Sequence, residues 1–343
     1  METSASSMVL MDAASGRVLC QSNAHERRLI ASITKLMTAL VALESGHRLD
    51  EEVTIDPAWV GVEGSSIYLQ AGETVTLEAL LYGMMLRSGN DAAVAIAGYC
   101  GGSVDAFVEQ MNETAMALGM VNSHFSNPNG LNAEDHYSTA YDMALLGKAC
   151  LEQDTLRQIM STKSATFGTR SFTNHNKLLW RYEGCIGMKT GYTEKAGRTL
   201  VSAAQRDDMT LICVTLNDPN DWADHTAMFD YGFSEYKSQR VIEAGEVVGQ
   251  LPVWNSLVPV CPIVAQEDVW VCAKEGELVQ KEQNIQLTML EGPVTAGTEV
   301  GEVAISVDGV EAARVPLVTG CDRFKDTADH VPFWERILSS LSR

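Results

Sequence analysis

Ser32 and Lys35 stand three residues apart, and on a helix residues i and i+3 share a face. The Ser32 hydroxyl would therefore meet the Lys35 amine. A serine hydroxyl is a poor nucleophile until a base lies within hydrogen-bond reach. Lysine can be that base where burial and neighbouring cations favour its neutral form. Ile33, Leu36 and Met37 supply the burial, and the start of a helix adds a field that favours developing negative charge. Ser88-Gly89-Asn90 interrupts two apolar stretches. There Ser88 offers a second hydroxyl that could relay a proton to a leaving amine, and Asn90 could donate to a substrate amide. Lys189-Thr190-Gly191 ends a strand-like run. Lys189 offers a cation and Thr190 a hydroxyl to a terminal carboxylate. Gly191 lets a substrate backbone pair with the strand edge, and the Tyr192 N–H can join that of Ser32 as an oxyanion hole. Ser-x-x-Lys alone arises often by chance. Three motifs in this order, each where an acyl-transfer mechanism needs it, are specific.

Positioning these groups requires particular elements. Residues 8–13 read as a strand, 14–16 as a turn and 18–20 as a returning strand. Residues 32–44 read as a buried helix ending at Gly46. Residues 76–87 form a second apolar helix, with Leu77, Leu80, Leu81, Met84 and Met85 at helical spacing, and helix resumes at 91–97. Helices are also expected at 104–118 and 140–151, separated by a turn-rich loop over 122–137. From about 184 the period changes: strands at 186–189, 199–203 and 209–216, then a closing helix at 221–231. Strands, helices and strands again predict an α+β fold, an antiparallel sheet flanked by helices in which the first and last strands meet.

From about 240 the composition shifts to short strand-like runs at 269–272, 285–289, 300–305 and 313–318, punctuated by Gly and Pro. That predicts a small all-β domain without an enzyme-like constellation. The expected organisation is a catalytic domain at 1–238, a β-sandwich at 239–323 and a tail at 324–343. In the tail Trp334, Ile337, Leu338 and Leu341 make one apolar stripe with Phe333 beside it, and contact with a membrane surface is favoured over packing on the domain.

The chain has 343 residues, which suits two domains, and a formal charge of −20 from 45 acidic and 25 basic side chains. Such a surface repels nucleic acid and must hold any anionic ligand with a few local cations. No run reaches 18 apolar residues, so no transmembrane helix is expected. The opening METSASSMVLMDAASG reads as strand and turn, not as a signal peptide, as would remain after removal of a leader. Eight cysteines occur without a CxxC pair or metal-ligand spacing, so neither metal nor cofactor is expected, and most read as small buried hydrophobes.

Residues 8–235, which carry these motifs, resemble the low-molecular-mass penicillin-binding D-alanyl-D-alanine carboxypeptidases, the family typified by penicillin-binding protein 5. The stretch Ala31 to Ala39 is similar to that family's nucleophile helix. Asn127-Pro128-Asn129-Gly130-Leu131 and Tyr137 to Ala144 resemble its central loop and following helix. Lys189 to Thr193, leading to Ala196-Gly197-Arg198, resembles its third-motif strand and turn. The β domain resembles its C-terminal β-sandwich, and the tail its membrane anchor. The resemblance implies an exported enzyme, peripheral on the outer face of the cytoplasmic membrane. Its substrates would be peptidoglycan stem peptides ending in D-Ala-D-Ala, cleaved through an acyl-enzyme at Ser32, with β-lactams as inhibitors. Some family members place an Arg before the third motif to bind the substrate carboxylate; here Lys177 is the stand-in. A β-lactamase would need a Glu-x-x-Leu-Asn type loop, which 120–185 lacks. A non-catalytic penicillin sensor would acylate without turnover.

Overall fold

The computed structural model describes residues 1–325, so the apolar stripe expected in the tail lies outside the described residues. The chain divides into two compact units between Ser238 and Gln239.

The first unit is built on a five-stranded sheet in the order Val18–Ser22, Ser7–Asp12, Met209–Leu216, Gly197–Arg206, Cys185–Thr193. Every neighbouring pair is antiparallel. The first strand lies against the last, Val9 opposite Val214, as the alternation of strands and helices predicted. Two helices cover the sheet. Gly147 of the helix Ala140–Glu152 rests on Ile212 and Val201, while Gly232 of the helix Asp221–Glu235 rests on Leu211 and Leu10. Leu211 and Ile212 are consecutive on one strand, so they face opposite sides and the helices flank the sheet.

Three further helices pack around the nucleophile segment. Leu36, Met37, Ala39 and Leu40 of the helix Lys35–Glu44 are almost wholly buried. Burial of each large apolar side chain contributes about 1.5–3 kcal/mol. Around them stand the helices Leu77–Arg87, Asn90–Cys100 and Val104–Ala117. Apolar contact on nearly every side explains why a helix with a buried lysine in its first turn remains stable. The expected helix start is corrected: Ala31–Thr34 is a 3-10 turn and the α-helix begins at Lys35.

The second unit contains a six-stranded sheet in the order Val279–Ile285, Glu299–Val307, Val310–Thr319, Val260–Ala265, Val247–Trp254, Leu290–Glu291. Its core is Ile263, Val271, Ile305, Val315 and Leu317 with their neighbours. The expected strand over 285–289 is displaced; the strand is Val279–Ile285, and Leu287 and Met289 are exposed. It lies at the sheet edge with mostly exposed side chains, so it needs no apolar alternation.

In this unit the Gly320 N–H donates to the Pro262 carbonyl at 2.8 Å, and the Cys261 and Cys321 sulfurs lie 3.9 Å apart. Hydrogen-bonded backbones run about 4.7–4.9 Å apart, inside the Cα separation a disulfide spans. Oxidised glutathione should therefore link Cys261 to Cys321 by thiol–disulfide exchange, recovered as one crosslinked pair in peptide maps. Recovery of both residues as alkylated thiols after oxidation would contradict this geometry.

Candidate active site

The nucleophile turn is unusual in its backbone. Ala31 has φ +50°, in the left-handed region that costs a non-glycine residue roughly 1–2 kcal/mol. Ser32 follows it, and Lys35 opens the helix with 0% of its surface exposed. The Lys35 Nζ lies 2.9 Å from Ser32 Oγ, 2.7 Å from Asn90 Oδ1 and 2.5 Å from the Asn129 carbonyl oxygen. The Asn90 side chain is oriented by its Nδ2, which donates to the Glu63 carbonyl.

This set of partners decides what the lysine can do. A carbonyl oxygen only accepts, whereas a hydroxyl can also donate. A neutral Lys35 has two N–H and one lone pair. Spending the two N–H on Asn90 Oδ1 and Asn129 O leaves the lone pair directed at the Ser32 hydroxyl. Burial lowers the Lys35 pKa well below the usual lysine range; the positive charge of Lys189 lowers it further, against an opposing pull from Asp91. The geometry accommodates a neutral amine that accepts from Ser32, and the electrostatics pull Lys35 toward that form.

Ser88 caps the helix Leu77–Arg87 in a left-handed conformation, φ +61°, its N–H donating to the Gly83 carbonyl. Lys189 comes from the sheet-edge strand Cys185–Thr193 and is 1% exposed. Its Nζ donates to Ser88 Oγ at 3.0 Å and to the Thr190 carbonyl at 2.8 Å. Burial pushes its pKa down to about 7. This differs from the expectation of a cation offered directly to a carboxylate: Lys189 sits behind the cavity and feeds Ser88. Asn90 has partners of its own within the site, and its second N–H is not among them. Its side-chain oxygen holds Lys35 and one of its N–H groups goes to Glu63.

Ser32, Ser88, Thr190, Gly191 and Tyr192 line a cavity of about 440 Å³, together with Ser65, Asn174, His175, Lys177, Arg198, Asp221 and Trp222. Gly191 has a steric reason. A Cβ there would lie 2.4 Å from Thr199 Oγ1 and 2.9 Å from the Ser32 nitrogen. Tyr192 is 64% exposed, so its backbone, not its ring, is held in place.

Arg198, Asp221 and Trp222 are the wall that sequence reasoning missed. Arg198 lies directly opposite Tyr192 on the neighbouring strand. Its Nε and Nη2 grip the Asp221 carboxylate at 3.0, 2.7 and 2.8 Å, and its guanidinium lies 5.5 Å from the Trp222 ring centroid. Asp221 is 2% exposed and Arg198 40%, so the cation faces the cavity with its counter-ion behind it. The signal was present in Thr193 to Gly197, a tight turn with Gly197 at φ +68° that must bring Arg198 back beside Tyr192. Among the described residues no group of three or more His, Cys, Asp or Glu could hold a metal ion.

A serine held against a buried lysine, beside a second lysine bound to a second hydroxyl at a sheet edge, defines a serine acyl-transfer enzyme of the penicillin-recognising fold. The chain belongs to the D-alanyl-D-alanine carboxypeptidase family, whose profile matches residues 1–220. The profile of the penicillin-binding protein 5 C-terminal domain matches residues 236–323. The chain is 32% identical to the D-alanyl-D-alanine carboxypeptidase DacF of Bacillus subtilis over 99% of this chain and 90% of that protein. It is 34% identical to DacA of Escherichia coli, over 92% and 82%. The crystal structure of penicillin binding protein 5 from Haemophilus influenzae superposes with TM-score 0.82 and 30% identity, covering 95% of this chain and 99% of that one.

The coupling between the lysines predicts a pH effect. Removing the Lys189 charge in Lys189→Met takes away a cation that depresses Lys35, so the Lys35 pKa should rise. A base works in its neutral form, so the acid limb of β-lactam labelling against pH should move upward. A limb in the same place as in the wild type would show that the lysines are not coupled.

Proposed function

We propose that this protein removes the terminal D-alanine from peptidoglycan stem peptides, with its first unit as the catalytic domain and Ser32 as the acylated residue. The observation that carries the reading is the Lys35 Nζ, 2.9 Å from Ser32 Oγ, with only carbonyl oxygens as its other hydrogen-bond partners. Ser32 Oγ attacks the carbonyl between the two D-alanines while its proton passes to Lys35. The Ser32 and Tyr192 N–H groups receive the oxyanion. The C–N bond breaks, the leaving amine takes a proton through Ser88, and D-alanine departs. Water then cleaves the ester and restores Ser32. A β-lactam opens on the same serine, but its amine stays tethered and blocks the site.

Arg198 is proposed for the substrate carboxylate, displacing Lys177 and Lys189 from that role. Its Nε and Nη2 hold Asp221, which leaves Nη1 for a ligand. Export to the peptidoglycan, on the outer face of the cytoplasmic membrane with contact through residues 326–343, is part of the same proposal. Support for this comes from the family and from the apolar stripe in the tail.

Two experiments test the reading. Incubation with a penicillin should place one adduct on Ser32 by peptide mass spectrometry, and a D-Ala-D-Ala peptide should release free D-alanine with turnover. Labelling without turnover would favour a sensor, and an adduct on another residue would refute the nucleophile. The second removes Arg198 and Asp221 together, as leucines, so that no unpaired charge is left buried. A charge-assisted hydrogen bond contributes about 1.5–3 kcal/mol, so kcat/KM should fall about 10- to 100-fold for the free acid and much less for the C-terminal amide. An equal loss on both substrates would show that Arg198 does not hold the carboxylate.

A further inference from the structure

Behind the nucleophile turn lies an imidazole that the mechanism above does not use. His136 is 1% exposed and closes the turn-rich loop at 122–137. The Ser126 backbone N–H donates to its Nδ1 at 3.1 Å. An N–H can only donate, so Nδ1 is the acceptor and the ring proton of the neutral imidazole resides on Nε2. Nε2 lies 2.8 Å from Thr34 Oγ1 and therefore donates to it. The Thr34 hydroxyl then spends its own proton on the Ala31 carbonyl oxygen at 2.8 Å. Donation runs in one direction, from Ser126 through His136 and Thr34 to Ala31.

The end of that chain matters because of peptide planarity. The Ala31 carbonyl and the Ser32 N–H belong to one rigid trans peptide unit, so fixing the carbonyl fixes the direction of the N–H. Ala31 is left-handed, at φ +50°, a conformation that persists only where its surroundings hold it. Two contacts on its carbonyl do so. Thr34 donates to the oxygen, and the Gly130 backbone lies so close that an added Cβ would sit 2.0 Å from the same atom. We infer that His136 is a positioning residue: through Thr34 it sets the Ala31–Ser32 peptide plane and so aims the Ser32 N–H at the oxyanion. Burial, followed by the electrostatic influence of His124, lowers its pKa to about 4; Lys35 lowers it too and Asp135 raises it. The imidazole thus stays neutral, as the chain of donation requires.

This inference rests on Ser32 being acylated, and the test separates the two claims. His136→Gln keeps both functions, because its Oε1 can accept from Ser126 and its Nε2 can donate to Thr34. His136→Leu keeps neither. Thr34→Val removes the relay while leaving the imidazole in place, and it carries the test if the leucine variant does not fold. The readouts are the rate of β-lactam acylation at saturation and the infrared stretch of the acyl-enzyme carbonyl, which falls in frequency when oxyanion donors polarise it. His136→Leu and Thr34→Val should slow acylation about 100-fold, in the range for a lost oxyanion donor or its misplacement. Both should raise the carbonyl frequency, and His136→Gln should lie near the wild type in both readouts. Wild-type rate and frequency in Leu and Val, or a glutamine variant as impaired as leucine, would overturn the positioning role. Absence of a Ser32 adduct in the wild type would instead overturn the functional reading on which it stands.

Discussion

Two lysines are buried within one site, and everything around them follows from that. Moving one ammonium out of water costs several kcal/mol, and a second positive charge nearby adds to the cost. The protein meets this by lowering both pKa values, Lys189 to about 7 and Lys35 well below its usual range. It then uses the consequence. Carbonyl oxygens from Asn90 and Asn129 take the N–H groups of Lys35, so the lone pair of a neutral amine has one partner left, the Ser32 hydroxyl. The loop at 127–131, the helix that begins at Asn90 and the strand that carries Lys189 all converge there. Displacing any of them would alter the contacts and the electrostatic surroundings of Lys35 together.

The same constraint explains how an acidic protein can receive an anion. With a formal charge of −20, the molecule as a whole repels a carboxylate. The buried lysines spend hydrogen bonds on the protein itself, Lys35 on Asn90 and Asn129 and Lys189 on Ser88 and Thr190. Arg198 differs in kind. A guanidinium remains charged under all working conditions, and Asp221 holds it by two nitrogens without using its third. The site thus keeps two kinds of basic group apart: buried lysines behind the cavity and an arginine on its wall.

Much of this was legible in the amino-acid order, for identifiable reasons. Ser32 to Lys35, Ser88 to Asn90 and Lys189 to Tyr192 are local in sequence, and a three-residue helical spacing is enough to join a hydroxyl to an amine. The antiparallel sheet was legible because its strands are apolar runs bounded by turns. What was not legible depends on pairing at long range. Arg198 faces the cavity only because its strand lies in register with Tyr192, and Asp221 meets it from a helix over twenty residues further on. His136 and Thr34 are 102 residues apart in sequence. In the second unit, Val279–Ile285 escaped notice because an edge strand with mostly exposed side chains carries no hydrophobic signature, and Val247–Trp254 because Gly249 and Pro252 read as breaks.

The central claim is that Lys35 is a neutral amine at the pH where the protein works. Nitrogen NMR on the full chain labelled at lysine Nζ, with Lys35→Arg to assign the signal, tests it without substrate or inhibitor. Deprotonation of the Lys35 amine well below the ordinary lysine range, and at higher pH in Lys189→Met, is the predicted result. A Lys35 signal that stays in the ammonium form up to the ordinary lysine range, about 10.4, would contradict the account.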